Sequence, residues 1–336
     1  MVFRALGGVN ERGNHCLLLD DERCPILLDC GLGGPRNPLP RLDADIARRA
    51  KLLLVSHSHL DHIGSIPTLL KLGFTGRIVT SRTTFKTAGE PADWPCLFID
   101  PGQTLEIEGA KITAHRAGHC LGSLWFEIEL GGKRVIFSGD YLDGGAYACD
   151  PIRGQRADLA IIDGSYYGKQ VPPMAESVQR LTALIREADG RVIMPAPKNG
   201  RGLCLHALLT TLGYSVNIVG KIQTTDSDLW LKDRIGAIVS NPDGRAILLT
   251  DKDFTAPETV ALVESDNQRR LIFTGNLDPG SVAEHLALTR PNTARCFYNA
   301  HITQEEIDAL VAANNFARVI LFSSAKTDYP SLEFPL

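Results

Sequence analysis

The chain has 336 residues, enough for one large domain or two intimate ones, and 35 Lys and Arg against 39 Asp and Glu give a net charge of −4. With 44% apolar and 22% charged residues, the composition excludes a disordered chain. The sequence contains no run of eighteen apolar residues, so it predicts no membrane-spanning helix. Early charges argue against a signal peptide, eight scattered cysteines indicate reduced thiols, and we therefore expect a cytoplasmic protein that could bind nucleic acid only through a local basic groove.

The first half of the chain is rich in short apolar runs that close with Asp or Gly, a pattern typical of β-strands. Two such runs, 14–21 and 24–34, predict a hairpin at the edge of a sheet. Further runs of strand length lie at 50–59, 76–82, 105–118, 124–140 and 157–168. Helical spacing of apolar residues predicts helices within 64–73 and 175–190.

From residue 191 onward short strands alternate with helices, which is typical of an α/β unit. The predicted strands of this part are 191–197, 235–241, 245–251 and 270–275, and the predicted helices are 202–213, 257–265 and 281–288. The tail, 294–329, predicts a strand, a helix and a strand, and Thr303 with Glu306 matches the capping box that begins a helix.

The stretch "SHSHLDH" carries the first chemistry, since His57, His59, Asp61 and His62 spell HxHxDH directly after a predicted strand. Side chains two residues apart on an extended strand point the same way, so His57 and His59 share one focus. Asp61 and His62, where the chain turns into a helix, can face a second focus. Because imidazole suits zinc and a carboxylate can bridge, the motif predicts two adjacent metal sites; the alternative is a surface cluster at a helix start.

Two more candidate ligands follow later strands, where loops carry functional side chains. His119 lies in "HRAGHCLGS" between two glycines, and Asp140 follows Gly139 in "VIFSGDY". Either residue alone would suggest a core histidine or a simple turn. With HxHxDH they predict further ligands of the same centre.

These motifs, in this order, resemble the metallo-β-lactamase superfamily of metallohydrolases. The resemblance implies an α/β fold, an αββα sandwich of two mixed sheets with helices outside. It also implies that His57, His59 and His119 hold a first zinc, that Asp61 and His62 hold a second, and that Asp140 bridges the two. Asp61 would thereby also belong to the catalytic group.

A narrower resemblance connects the chain with the β-CASP branch, which includes RNase J, the endonuclease of pre-mRNA cleavage and Artemis. It is carried by "GGVNERGNHCLLL", "AGHCLGS", "IDGSYYG" and "YNAHITQEEIDALV". It implies catalytic roles for Asp163 at motif A and His301 at motif B. It also implies a smaller α/β domain, 166–295, inserted into a metallo-β-lactamase domain made of 1–165 and 296–336.

The chain departs from the RNA-processing members of that branch at motif C, where a histidine would complete the second zinc site. In DNA-processing members a small apolar residue often replaces that histidine. Here the predicted strand leads into Ser323 and Ser324. A serine hydroxyl is a poor substitute for imidazole on zinc. We therefore expect one or two Zn²⁺ ions with a weaker second site, at which Mn²⁺ is an alternative.

For substrate we expect RNA or single-stranded DNA, cleaved by a metal-activated hydroxide while His301, oriented by Asp163, protonates the leaving oxygen. Candidate substrate contacts, with a solvated turn as the alternative, are Lys198, Asn199 and Arg201 in a polar Gly-rich loop, Ser281 at a helix start, and Ser323. Two other functions remain open: a metallohydrolase of a small ester, thioester or phosphodiester, and an inactive scaffold protein. The sequence predicts no membrane partner and does not indicate an oligomeric state.

Overall fold

The computed structural model describes residues 1–34, 38–224, 230–231 and 238–336. The chain divides into two compact units. Unit 1 consists of Met1–Gln170 and His301–Leu336, and unit 2 is Val171–Ala300. The predicted boundaries lie five residues earlier at both ends of the insert.

The secondary structure elements are numbered here in chain order. The strands are β1 (Val2–Gly7), β2 (Cys16–Asp20), β3 (Ile26–Leu28), β4 (Leu52–Leu54), β5 (Arg77–Thr80), β6 (Cys96–Phe98), β7 (Thr104–Ile107), β8 (Ala110–Arg116), β9 (Leu124–Leu130), β10 (Lys133–Phe137), β11 (Arg156–Ala157), β12 (Leu159–Asp163), β13 (Val192–Pro195), β14 (Val216–Val219), β15 (Ala246–Leu249), β16 (Arg270–Phe273), β17 (Thr293–Arg295), β18 (Asn315–Phe316), β19 (Val319–Phe322) and β20 (Glu333–Pro335). The helices are α1 (Ala44–Arg49), α2 (Leu60–Ile63), α3 (Ile66–Lys71), α4 (Arg82–Thr87), α5 (Met174–Glu187), α6 (Arg201–Thr211), α7 (Pro257–Ser265), α8 (Val282–Thr289) and α9 (Gln304–Ala312).

Unit 1 is built on two mixed sheets. The first has the order β20-β1-β2-β3-β4-β5-β6, and the second has the order β19-β12-β10-β9-β8-β7. The predicted hairpin is present as the antiparallel pair β2 and β3, but its position at the sheet edge was wrong. It lies inside the first sheet because β1 and β20 continue the sheet beyond β2.

The central strands of each sheet are buried on both faces. On the outer face of the first sheet, Leu27 and Leu53 pack with Ile46 of α1 and Leu69 of α3. On the outer face of the second sheet, the buried side chains of β10, β12 and β19 pack with α9.

The alternate side chains of the same strands, among them Leu28, Leu54, Val135 and Ile161, have no accessible surface although they face away from those helices. A strand buried on both sides needs a second layer over each face, so the two inner faces cover each other. This αββα arrangement confirms the predicted fold class.

Unit 2 contains a parallel sheet with the order β14-β15-β13-β16-β17. Its core joins Ile193, Ile247 and Leu271 of the strands to Val263 of α7 and Leu286 of α8. The strand predicted at 235–241 falls partly outside the described residues, and 238–240 are not in a strand. Among the described residues, no helix is both long and apolar enough to cross a bilayer.

Candidate metal centre

The HxHxDH stretch joins the buried strand β4 to the short helix α2. His57 and His59 lie in the connection, and His59 is the residue that precedes the helix as its N-cap. Asp61 and His62 lie on α2 itself, where the amide of His62 donates to the His59 carbonyl at 2.9 Å. The connection after β4 and the start of α2 therefore bring four candidate ligands within six residues of chain.

The first focus brings together three imidazole nitrogens. His57 Nε2 lies 2.9 Å from His59 Nδ1, and His119 Nε2 lies 3.2 Å from the same His59 atom. His119 comes from the loop after β8. The Cys120 Sγ atom also lies within 4.8 Å of these nitrogens. It contacts the carbonyl oxygen of Leu121 at 3.8 Å.

Asp140 follows β10 and reaches both foci with its two carboxylate oxygens. Its Oδ2 lies 3.7 Å from His57 Nε2 and 3.5 Å from His119 Nε2. Its Oδ1 lies 3.3 Å from His62 Nε2. The chain can reach this position because Gly139 has φ 52°, and a Cβ there would come within 2.6 Å of the Ser56 Cβ.

This donor set fits metal ions. With zinc bonds to nitrogen of about 2.0–2.1 Å, two ligands of a tetrahedral ion lie about 3.3 Å apart, close to the separations of these nitrogens. Asp140 Oδ1 is buried and has no hydrogen-bond partner among the described residues, a costly state unless a cation compensates it. His57, His59 and His119 with Asp140 would hold one ion, and Asp61 and His62 with Asp140 would hold the other.

The protonation states of the buried groups agree with such a centre. Burial lowers the pKa of His57 well below its ordinary value and also lowers the pKa of His15, so both rings stay neutral at pH 7. Burial alone would raise the pKa of Asp140, but His62 and His301 hold it well below its usual range. Neutral imidazole and ionised carboxylate are the forms that bind metals.

His62 lies in surroundings that favour a cation. Burial alone lowers the pKa of His62, but Asp140, Asp29 and Asp61 raise it well above its ordinary value. The same negative charges that attract a proton to His62 would attract a metal ion to its Nε2 atom.

Asp163 and His301 form a pair beside Asp140. His301 Nδ1 lies 2.8 Å from Asp163 Oδ2 and 3.8 Å from Asp140 Oδ2. Asp163 is the last residue of β12 and accepts hydrogen bonds from the amides of Tyr141 and Ser165, so its carboxylate is fixed. Thr303, two residues after His301, caps α9 with Glu306 in the predicted capping box. The structure thus places a fixed carboxylate against one nitrogen of His301.

Sequence reasoning missed Asp29, which directly follows β3 and has no accessible surface. Its carboxylate accepts hydrogen bonds from the amide and hydroxyl of Ser56 at 2.7 and 2.8 Å, and from His62 Nδ1 at 2.6 Å. Ser56 Oγ also lies 3.0 Å from His57 Nδ1. Asp29 therefore turns Nε2 of His62 toward the centre and supports His57 through Ser56. The signal was available, since Asp29 ends an apolar run as Asp163 does.

Replacing Asp29 by asparagine should weaken metal binding by about 10- to 100-fold, the usual effect of losing the carboxylate behind a histidine ligand. The amide can still accept one hydrogen bond but carries no charge to favour the Nδ1–H form of His62. The measurement is competition of each variant for zinc against a coloured chelator. Asp158→Asn, at a carboxylate that pairs with Lys133, is the control and should bind zinc like the wild type. Equal affinities for all three proteins would contradict the supporting role of Asp29.

Sequence reasoning also missed His15, which precedes β2 and is buried. Its Nδ1 lies 2.9 Å from His62 Nε2 and 3.8 Å from Asp61 Oδ2. No local spacing connects residue 15 with residues 61 and 62.

The remaining predicted residues lie outside this cluster of ligand atoms. In unit 2, Arg201 donates to the carbonyls of Thr274 and Tyr298, and Ser281 caps α8 by accepting from the Glu284 amide. Lys198 is exposed and Asn199 is buried. In unit 1, the Ser323 hydroxyl accepts a hydrogen bond from Ser165 at 3.0 Å. These contacts give Arg201 and Ser281 structural roles, and substrate binding by the five residues stays a prediction.

Comparisons with known proteins show which family part of this chain matches. Residues 9–168 match the family described as the metallo-β-lactamase superfamily. The endoribonuclease YSH1 of Yarrowia lipolytica is 31% identical over 233 residues, which are 59% of this chain and 28% of that protein. Endoribonuclease ysh1 of Schizosaccharomyces pombe is 28% identical over 235 residues, 60% of this chain and 31% of that protein. The chain thus spans less than a third of the length of these relatives.

A solved structure shares the fold at larger coverage. It is described as a crystal structure of a protein of unknown function from Enterococcus faecalis V583, with a TM-score of 0.66 and 12% identity. The match covers 98% of this chain and 96% of that chain. At this identity the likeness shows a common fold alone.

Proposed function

Because residues 9–168 match the metallo-β-lactamase superfamily and part of the chain is similar to proteins named endoribonuclease YSH1, we propose that the protein is a zinc-dependent nuclease that cleaves RNA. The observation that carries the proposal is the position of Asp140. Its two oxygens reach both groups of candidate ligands, and the Asp163–His301 pair lies against the same carboxylate. A centre that holds two cations around one carboxylate suits a substrate that carries negative charge at the reacting atom.

Zinc at these donors would lower the pKa of a water to about 7 and neutralise charge on a phosphodiester. The residues of the chain supply the rest. Asp29 and Ser56 orient the rings of His57 and His62, and the Asp140 carboxylate is kept ionised by its neighbours. A water activated in this way would need no separate side chain as base.

His301 supplies the proton for the leaving oxygen. Since Asp163 accepts the proton of Nδ1, the nitrogen left for transfer is Nε2. Burial alone would lower the pKa of His301, but Asp163 and Asp140 raise it, which favours the protonated form that an acid needs.

RNA is favoured as the substrate because the relatives described above carry the name endoribonuclease. The net charge of −4 gives no general attraction to a polyanion, so binding must depend on local contacts. Single-stranded DNA is the second polymer to test.

The test incubates zinc-loaded protein with end-labelled single-stranded RNA, with DNA of the same sequence and with an aryl ester. We expect cleavage of RNA that is lost in Asp61→Ala and His119→Ala, with His285→Ala, on the exposed side of α8, as the matched control. Cleavage of DNA alone would correct the substrate. Turnover of the ester without cleavage of either polymer would replace the nuclease by a small-ester hydrolase, and no turnover at all would favour a scaffold protein.

A further inference from the structure

The second group of candidate ligands consists of Asp61, His62 and Asp140 and has a place for one more donor. Asp61 Oδ2 lies 3.9 Å from His62 Nε2, and Asp140 Oδ1 lies 3.3 Å from the same nitrogen. These are three protein donors, whereas the first group offers three imidazoles in addition to Asp140. Ser323 is a poor candidate for the missing donor, because a serine hydroxyl is a weak zinc ligand and this one accepts a hydrogen bond from Ser165.

His15 lies beside this group. The separations from His15 Nδ1 are 2.9 Å to His62 Nε2 and 3.8 Å to Asp61 Oδ2, so the three atoms form a triangle with sides of 2.9, 3.8 and 3.9 Å. One face of a tetrahedral zinc site has edges of about 3.3 Å. The three atoms are therefore spaced to share one ion.

The His15 ring is held in place from several sides. Its backbone amide donates to the Asp61 carbonyl at 3.0 Å, and its carbonyl accepts from the Gly31 amide at 2.8 Å. The edge of the ring meets Phe322, with 5.2 Å between ring centres. Gly8, at φ 81°, leaves the space for the ring, since a Cβ there would come within 2.6 Å of His15 Cδ2. Such pre-organisation is typical of a ligand.

The hydrogen bonds of His62 decide which role this arrangement favours. His62 Nδ1 donates to Asp29, so the nitrogen that His62 turns toward His15 and Asp140 is Nε2. His15 Nε2 is buried and has no hydrogen-bond partner among the described residues, so the polar contacts of the ring lie on its Nδ1 side. A cation shared by the two facing nitrogens would bind both of them and would compensate the charge of the Asp61 and Asp140 carboxylates beside them.

We propose that His15 is a ligand of the second metal ion through Nδ1, completing a set with Asp61, His62 and Asp140. This inference concerns metal binding and does not depend on which substrate the protein cleaves. It also changes the expectation of a weaker second site that followed from Ser323. The imidazole of His15 would take the place of the motif C histidine that this chain lacks.

An isosteric pair of variants tests the proposal. In His15→Asn the side-chain amide can still donate to His62 Nε2 but binds zinc poorly, whereas the carboxylate in His15→Asp is a zinc ligand. Metal content is measured by mass spectrometry after dialysis against buffered zinc, with calorimetry for the affinity. We expect His15→Asn to weaken the second ion by about 100-fold and to leave about one zinc per chain, and His15→Asp to keep most of the second.

Two variants provide the controls. His206→Ala removes a buried histidine of unit 2 and should keep the metal content of the wild type. His62→Ala removes a candidate ligand of the second ion and should reproduce the loss in His15→Asn. The proposal is overturned if His15→Asn binds the second ion as tightly as the wild type.

A measurement on the wild type covers the case in which His15→Asn does not fold. In cadmium-113 NMR of protein labelled with nitrogen-15 histidine, one resonance should couple to three imidazole nitrogens and the other to two. A second resonance coupled to one imidazole nitrogen would refute the proposal. Both readouts are independent of activity, so loss of the nuclease proposal would leave the metal result standing.

Discussion

Replacing Asp140 by asparagine is expected to weaken both metal sites together and to lower kcat/KM on RNA by about 1,000-fold. The carboxylate is the only residue whose two oxygens reach both groups of candidate ligands in the described part of the chain. Losing the charge of a shared ligand should cost about 4 kcal/mol of stabilisation of the transition state of phosphodiester cleavage. This corresponds to a rate that is roughly 1,000-fold lower. Metal content and RNA cleavage are measured on the same preparation.

Thermal unfolding separates this effect from a folding defect. A ligand that binds the native state at 100 times its Kd adds about 2.7 kcal/mol of stability, so zinc should raise the Tm of the wild type. The Asp140→Asn protein should unfold near the wild-type Tm without zinc and respond weakly when zinc is added. Asp158→Asn is the matched control and should respond fully. A full zinc response in Asp140→Asn would show that the carboxylate is not a shared ligand.

Replacing His301 by glutamine is expected to lower kcat on RNA by about 100- to 10,000-fold while the metal content stays unchanged. The loss follows from removing the proton donor for the leaving oxygen. The metals are retained because His301 Nδ1 lies 2.8 Å from Asp163, which leaves that nitrogen committed to the carboxylate.

The leaving group identifies the role of His301. A diester with a p-nitrophenolate leaving group needs little protonation, so His301→Gln should retain far more activity on it than on RNA. An equal loss on both substrates would mean that His301 positions the substrate, and loss of one metal would mean that it is a ligand. His285→Ala, on α8 of unit 2, should match the wild type on both substrates.

The strands and helices of unit 1 could be predicted because tertiary packing did not change the structure that their local sequence patterns favour. The runs that predicted β2, β3, β4, β10 and β12 are apolar on both faces because each strand lies between two layers. The predicted edge position of the hairpin was wrong because β1 and β20 carry weaker patterns. β1 carries the charged Arg4 within a run of six residues, and β20 has only three residues.

The sequence by itself predicted the resemblance to the metallo-β-lactamase superfamily, the fold class and six candidate ligands, because HxHxDH, His119 and Asp140 follow predicted strands with a spacing that local geometry translates directly. Only the tertiary structure decided the supporting shell. Asp29 meets His62 across 33 residues, and His15 meets it across 47 residues, through the pairing of β2, β3 and β4. Such contacts depend on sheet order and register, which fix where a strand end lies in space, and these are properties of packing between segments rather than of any single segment.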